Sequence, residues 1–243
     1  MLPSSLVTVL LPNYDARLRR FLLGLPGLLC LYPGDDAPGS ATIKDIGPNG
    51  FHLTVDGATL GKQGRFRRPA PSCDGVNDKF GSADVVDNAT LQVSTVTLFG
   101  MFKNSDVTRV ADAIISYGNA GGVASNGYQL YIHLSKVRLD KIVATVTVSA
   151  DSDAVVNDRW QMAAGTFDGA QTVAWKDGVA GTPVATITAP GWLATEELVV
   201  GAVRDSAVYS HFQLGSLAYV GMCSGALPDA TLKQMARLMR VPV

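Results

Sequence analysis

The chain has 243 residues, 47% of them hydrophobic and 17% charged, with a formal net charge of -1. This composition excludes a disordered chain, and the near-neutral balance gives no general pull toward nucleic acid or an anionic membrane. The length fits one large all-β or α/β domain, or at most two small ones. Only two of the 21 acidic residues are glutamates, the adjacent Glu196 and Glu197. With Thr, Val, Ala and Gly plentiful, this is the composition of strands and turns.

Three cysteines, Cys30, Cys73 and Cys223, lie far apart without a CxxC, so they read as small buried hydrophobes and not as a disulfide framework. His52, His133 and His211 show no ligand spacing. The apolar run Phe21 to Tyr32 follows Arg17, Arg19 and Arg20, yet it starts late for a secretion signal, is too short to span a bilayer and contains Pro26. The expectation is a protein folded in a cytoplasm, with no membrane insertion.

Along the chain, Ser5 to Leu11 reads as an extended arm, and Tyr14, Leu18, Phe21, Leu22 and Leu25 then follow a spacing near 3.6 that predicts a short helix ended by Gly24 and Pro26. Leu28 to Tyr32 reads as a buried strand. From about residue 90 the period is two. Val96, Leu98 and Phe102 share one face, as do Tyr128, Leu130, Ile132 and Leu134, then Ile142, Ala144, Val146 and Val148, then Trp160, Met162, Ala164 and Thr166. The Asp168-Gly169 and Asp177-Gly178 pairs predict hairpin turns. Leu198 to Val203 and Phe212 to Met222 supply further strands. Leu232, Met235, Ala236 and Met239 return to helical spacing and predict a helix over 228–240, with Arg237 and Arg240 in its last turn. The fold class expected is therefore all-β, a two-sheet antiparallel jelly-roll sandwich. Residues 1–27 form an arm and short helix, and residues 28–243 form the sandwich with its C-terminal helix.

The ordered segments LCLYPGDD (29 to 36), DIGPNGFHLTV (45 to 55), DRWQMAAGTFDG (158 to 169), VAWKDG (173 to 178) and FQLGSLAYVGMCSGALPDATLKQM (212 to 235) resemble laminin G-like domains of the concanavalin A-like lectin/glucanase superfamily. The sequence departs from that pattern at Pro48, at Trp175 where Tyr is usual, and at Gln213-Leu214 before Gly215. The resemblance implies two curved antiparallel sheets. It also implies that a catalytic member would carry paired carboxylates on alternate positions of one strand, Glu-x-Asp-x-Glu. Glu196 and Glu197 are adjacent and read as an exposed loop or strand start, so no enzyme is expected and no catalytic residue is assigned. No cofactor is expected. Asp35-Asp36 and Asp151-Ser152-Asp153 could ligate calcium, as some such domains do, but read first as turn residues, and no metal site is assigned.

For a sugar ligand, the expected site is a loop rim of Trp192, Tyr117, Asn119, Asn126, Tyr209 and His211, whereas Trp160 and Trp175 fall at inward-facing strand positions. The basic cluster Arg65, Arg67 and Arg68 reads as a solvated loop. For partner docking, the expected residues are Leu6, Val7, Val9, Leu10 and Leu11 of the arm and Tyr14, Arg17, Leu18, Arg20 and Phe21 of the helix. The function expected is a non-enzymatic virion structural protein, a bacteriophage capsid decoration or tail or fibre surface component with a lectin-like fold that binds glycans. Its expected partners are virion proteins and copies of itself, it assembles in the host cytoplasm, and it contacts no nucleic acid. The alternative is a cellular or secreted carbohydrate-binding module.

Overall fold

The computed structural model describes residues 4–63, 68–81, 88–119, 126–144, 146–185, 192, 196–205 and 208–239, with the side chains of 4–13, 63, 119 and 205 outside that description. In chain order, α1 (Ser4–Leu23) leads to β1 (Leu28–Tyr32), β2 (Thr42–Ile43), β3 (Leu53–Asp56), β4 (Thr59–Gln63), β5 (Pro69–Asp74) and β6 (Lys79–Gly81). Four long meander strands follow, β7 (Val96–Asn104), β8 (Asp112–Asn119), β9 (Asn126–His133) and β10 (Lys136–Val143). Next come β11 (Val146–Ala154), β12 (Trp160–Phe167), β13 (Gln171–Lys176), β14 (Val179–Ala180) and β15 (Val184–Ala185). The chain closes with β16 (Glu197–Val200), β17 (Val203–Asp205), β18 (Val208–Ser210), β19 (Leu214–Ser224) and α2 (Asp229–Met239).

Among the described residues the strands form two stacked antiparallel sheets. One runs β14-β13-β12-β7-β19-β5-β4, with β1 on β19 and β15 on β13. The other, of eight strands, runs β11-β10-β9-β8-β16-β6-β3-β2, and β17-β18 is a separate hairpin. The expected all-β sandwich is the fold of this chain. Its period-two faces sort into two cores: Val96, Leu98, Phe102, Tyr128, Leu130 and Ile132 lie between the sheets, while Phe99, Met101, Met162, Ala164 and Trp175 point the other way. That second face is capped by both helices, through Leu18 and Leu22 of α1 and Leu232, Met235 and Ala236 of α2. Trp175 is buried there, with its indole N–H donating to Thr166 Oγ1 at 3.3 Å. Trp160 is only half-buried against the same helix-side cluster, so it is no part of the inter-sheet core.

Three expectations are corrected. The arm is not extended, because α1 begins at Ser4 and runs through Pro12. The spacing of Leu18 and Tyr14 continues backwards through Leu11 and Val7, and that pattern outweighs the β-branched composition of the segment. Tyr14, Leu18 and Phe21 are not presented to a partner: Leu18 is fully buried in the chain's own second core, Phe21 packs on it, and the Tyr14 hydroxyl donates to the Arg237 carbonyl at 2.8 Å. Arg17 and Arg20 do face solvent, whereas the side chains of Leu6, Val7, Val9, Leu10 and Leu11 lie outside the described residues. Finally, two of the period-two runs are broken by turns. Leu134 and Ser135 have φ of 46° and 66° and join β9 to β10, and Ala144, with φ of 50°, lies between β10 and β11.

A polar seam fastens α1 to the sandwich. Asp15 is 1% exposed, and its carboxylate accepts from the Tyr219 hydroxyl, from Arg19 Nε at 3.2 Å and from Arg68 Nη2 at 2.9 Å. Both arginines also reach Asp35. The described end of the basic cluster, Arg68, is exposed to solvent and at the same time pairs with Asp15 and Asp35. Arg65 and Arg67 lie outside the described residues. The family-like segment 45–52 is likewise structural: Asp45 accepts from the backbone N–H groups of Leu31, Gly47 and Phe51, and Tyr32 donates to the Phe51 carbonyl. Asp177 and Gly178, with φ of 51° and 81°, make the expected hairpin turn. All three cysteines are free and buried, and burial pushes the Cys223 thiol up to about 12.

Candidate ligand-binding face

The eight-stranded sheet has one face toward the inter-sheet core and one away from it. Register on the outward face places side chains in rows across neighbouring strands. One row is Ala113, Tyr131, Arg138 and Asp151, from β8 to β11. The next is Ser116, Gln129, Asp140 and Ser149. Strand alternation makes this face polar: Leu130, Ile132, Val137 and Leu139 go inward, so the residues between them must go outward.

Hydrogen bonds tie the rows together. The Tyr131 hydroxyl donates to Asp140 Oδ2 at 2.6 Å. Arg138 donates from Nε and Nη2 to the two oxygens of Asp151, at 2.6 and 2.9 Å, a bidentate pair. Donation from Arg138 holds the Asp151 carboxyl below its ordinary range, and in return the carboxylate raises the guanidinium. Burial, reinforced by the Asp140 charge, pushes the Tyr131 phenol up, so it remains a neutral donor. Asp140 is 7% exposed, and its Oδ1 is buried with no hydrogen-bond partner.

Rings gather at one end of the first row. The His211 ring lies parallel to that of Tyr131, within 10° and 6.0 Å between centroids, and His133 meets Tyr131 edge-on at 6.0 Å. His211 is exposed and has φ of 54°, in the left-handed region, where histidine is among the better tolerated non-glycine residues. At the other end the rows open into a cleft of about 570 Å³, lined by Ser149, Asp151, Asp153, Lys136, Thr182 and Pro183.

The expected loop rim is not one site. Trp192 and Tyr117 belong to the inter-sheet core, where the indole lies 5.4 Å from the Tyr117 ring and 5.7 Å from that of Tyr128. Tyr117 is fully buried, and its hydroxyl donates to the Asn88 carbonyl. Trp192 is a lid on the core because Tyr117 and Tyr128 sit on inward-facing positions and offer it their rings. Asn126 is buried at the same end, with Oδ1 accepting from Ala144 N, and the Asn119 side chain lies outside the described residues.

Tyr209 and His211 do reach the outward face, by way of β17-β18. The Tyr209 hydroxyl donates to Glu197 Oε2 at 2.8 Å, Arg204 approaches the same oxygen at 3.5 Å, and Lys79 Nζ lies 4.4 Å from the phenol ring centre. Burial and the Glu197 carboxylate push the Tyr209 phenol up to about 12. Glu196 and Glu197 are thus buried, not exposed, and Glu197 clamps the hairpin over the sheet. Asp35 and Asp151, considered for calcium, are both engaged by arginines. Sequence reasoning passed over Tyr131, Gln129, Arg138 and Asp140 because it read their strands for the inward face. The signal available was the polar half of the same alternation.

No protein-family model matches the chain, and no curated protein matches it in sequence. Solved structures do match in fold. A Trypanosoma rangeli sialidase in complex with sialic acid aligns with TM-score 0.65 and 11% identity over 93% of this chain, which spans only 37% of the sialidase. Domain 4 of AbnA, a GH43 extracellular arabinanase from Geobacillus stearothermophilus, in complex with arabinotriose, aligns with TM-score 0.61 and 13% identity, covering 86% of this chain and 98% of that domain. The Ruminococcus gnavus IT-sialidase CBM40 bound to α2,3-sialyllactose aligns with TM-score 0.55 and 12% identity, covering 68% of this chain and 96% of that module.

Proposed function

We propose that this chain is a non-catalytic, lectin-like sugar-binding module whose ligand face is the outward surface of the eight-stranded sheet around His211, Arg138 and Asp151 and the adjoining cleft. The observation that carries the reading is the surface that runs from the exposed His211 ring, stacked on the buried Tyr131, past the partly exposed Arg138–Asp151 pair into an open cleft. Sugars present apolar C–H faces that pack on rings, and hydroxyls that need donors and acceptors held in place. The fold-level likeness to an arabinanase domain and to a carbohydrate-binding module supports this reading. Adjacent glutamates, one of them spent on Tyr209 and Arg204, support a binding role over hydrolysis.

The test is titration of the full chain against oligosaccharides by calorimetry, beside His211→Ala. We expect binding to at least one sugar and its loss in the variant, with an unchanged far-UV circular dichroism spectrum. Binding that survives His211→Ala removes this face from consideration.

A second reading concerns setting. A bacteriophage virion surface component, held to its particle through the N-terminal segment, draws support from the outward stripe Ala16, Arg17, Arg20 and Leu23 of α1, which the sandwich leaves uncovered. Deleting residues 1–12 should leave a folded sandwich that sediments as a smaller species or fails to join its particle. Unchanged mass and incorporation would reduce α1 to a strap on its own domain.

A further inference from the structure

The end of the sandwich at which β5, β7, β9 and β11 finish is crowned by four loops, 74–78, 105–111, 134–135 and 155–159, that are tied to one another. The Gly75 carbonyl accepts from Arg109 Nη2 at 2.8 Å, and the Val107 N–H donates to Asn157 Oδ1 at 2.7 Å. The Ser135 hydroxyl donates to the Val107 carbonyl at 3.0 Å, while its carbonyl accepts from the Val155 N–H at 2.6 Å. These bonds hold the tips in place, yet the tips are apolar. Of the eight large hydrophobic side chains exposed among the described residues, four stand here: Val76 at 69%, Val110 at 66%, Leu134 at 56% and Val156 at 50%. Leu134 works against the fold. With Ser135 it makes the two-residue turn between His133 and Lys136, at φ of 46° and 66°, a geometry for which Asn-Gly is the favoured pair. A leucine held in the left-handed region with its side chain in water stabilises nothing within its own chain.

The rim of this crown carries both signs of charge. Arg159 and Lys136 are exposed, as are Asp74 and Asp153, and none of the four enters an ion pair among the described residues. A balanced rim favours neither a strongly charged partner nor an anionic membrane, whereas a second copy turned about a two-fold axis meets each charge with its opposite. We infer that the crown is a homotypic contact, in which two copies of this chain pair through Val76, Val110, Leu134 and Val156. The four side chains expose roughly 250 Å² of apolar surface. Two copies with their polar rims would bury roughly 900 Å² in total, below the 1,200 Å² or so that stable complexes need. The pairing is therefore weak and reversible, with a dissociation constant on the order of 100 μM. It also sets two outward sheet faces side by side, because His133 and Lys136 flank the Leu134 turn. On the sugar-binding reading that arrangement gives a repeating polysaccharide two sites at once, although the pairing itself does not depend on that reading.

Sedimentation velocity of the full chain from about 1 to about 500 μM tests the pairing. We expect a monomer at the low end and a dimer at the high end. Leu134→Asn, and separately the double substitution Val76→Ser with Val110→Ser, should weaken pairing by about tenfold. Val146→Ser removes an equally exposed valine at the opposite end of the sandwich and should leave pairing unchanged. Leu134→Asn carries a second readout. Asparagine tolerates the left-handed region, so at about 1 μM, where the chain is monomeric, the variant should raise the thermal midpoint by about 2–4 °C while it weakens the dimer. A chain that stays monomeric at about 500 μM overturns the inference, even where its crown adsorbs to phosphatidylcholine vesicles. Pairing that survives both crown variants, or that Val146→Ser weakens equally, overturns it as well. Should Leu134→Asn lower the midpoint, the leucine serves its own turn, and the double variant on the other two loops decides alone.

Discussion

Two polar networks lie on opposite sides of this sandwich, and they differ in how completely they are closed. Under α1, the buried Asp15 receives a phenol and two guanidinium groups, and Asp35 at the solvent side shares both partly exposed arginines. On the outward face of the other sheet, Arg138 and Asp151 are partly exposed, Tyr131 serves one oxygen of Asp140, and the second oxygen is left without a donor. Composition does not separate them, since each combines Asp, Arg and Tyr. Closure does. A buried carboxylate filled on both oxygens specifies how elements dock, whereas one with an orphaned buried oxygen carries an unmet hydrogen-bond demand inside its own sheet face.

The largest effect expected lies in the closed network. Asp15→Ala removes the carboxylate on which Tyr219, Arg19 and Arg68 converge, and breaking a buried pair from one side costs about 3–5 kcal/mol. Denaturant unfolding reads this directly, and a loss under about 1 kcal/mol, the range of exposed pairs, would place the seam in solvent and erase the contrast. Leu22→Ala attacks the apolar side of the same seam. Leu22 is fully buried, so the substitution should cost about 2–4 kcal/mol, as large-to-small changes in packed interiors do. On the outward side, Tyr209→Phe deletes one hydrogen bond to Glu197 and should cost only about 1 kcal/mol, with the hairpin β17-β18 gaining amide exchange while α1 does not.

How much of this was legible in the sequence follows from what each residue answers to. The helix over 228–240 was readable because Leu232, Met235, Ala236 and Met239 all obey one period, and all four are buried. The Asp177-Gly178 turn was readable because its conformation demands those residue types. The turns at Leu134-Ser135 and Ala144 were not, because no glycine or asparagine marks the positive φ and the apolar alternation runs across them. Trp192 illustrates the limit for the site: a lone aromatic after Pro190-Gly191 reads both as a sugar platform and as a lid on the core, and the placement of Tyr117 and Tyr128 decides for the lid. Asp140 illustrates the reverse. In sequence it is one charge in an alternating strand, and its meaning depends on the cross-strand partners Gln129 and Ser149 and on a donor that never arrives.

The smallest effect sharpens the comparison most. Asp151→Asn retains the shape of the outward row but leaves Arg138 facing a neutral amide. Both side chains are partly exposed, 23% for Arg138 and 32% for Asp151, so the pair is worth about 0.5 kcal/mol at pH 7, within the range of partly solvated pairs. Because donation from Arg138 depresses the Asp151 pKa in the folded chain, the stabilisation is present above the unfolded value near about 4 and is lost as pH falls through the lower, folded value. Unfolding curves of the two proteins should therefore differ by about 0.5 kcal/mol at neutral pH and converge by about pH 2. Added salt at about 1 M should shrink the neutral-pH difference as well, since exposed charges are screened. A gap that persisted at low pH would show that the amide disturbs the packing of the cleft wall around Ser149 and Asp153. In that case the outward row, like the seam under α1, would be held by close fit and not by a solvent-facing charge pair.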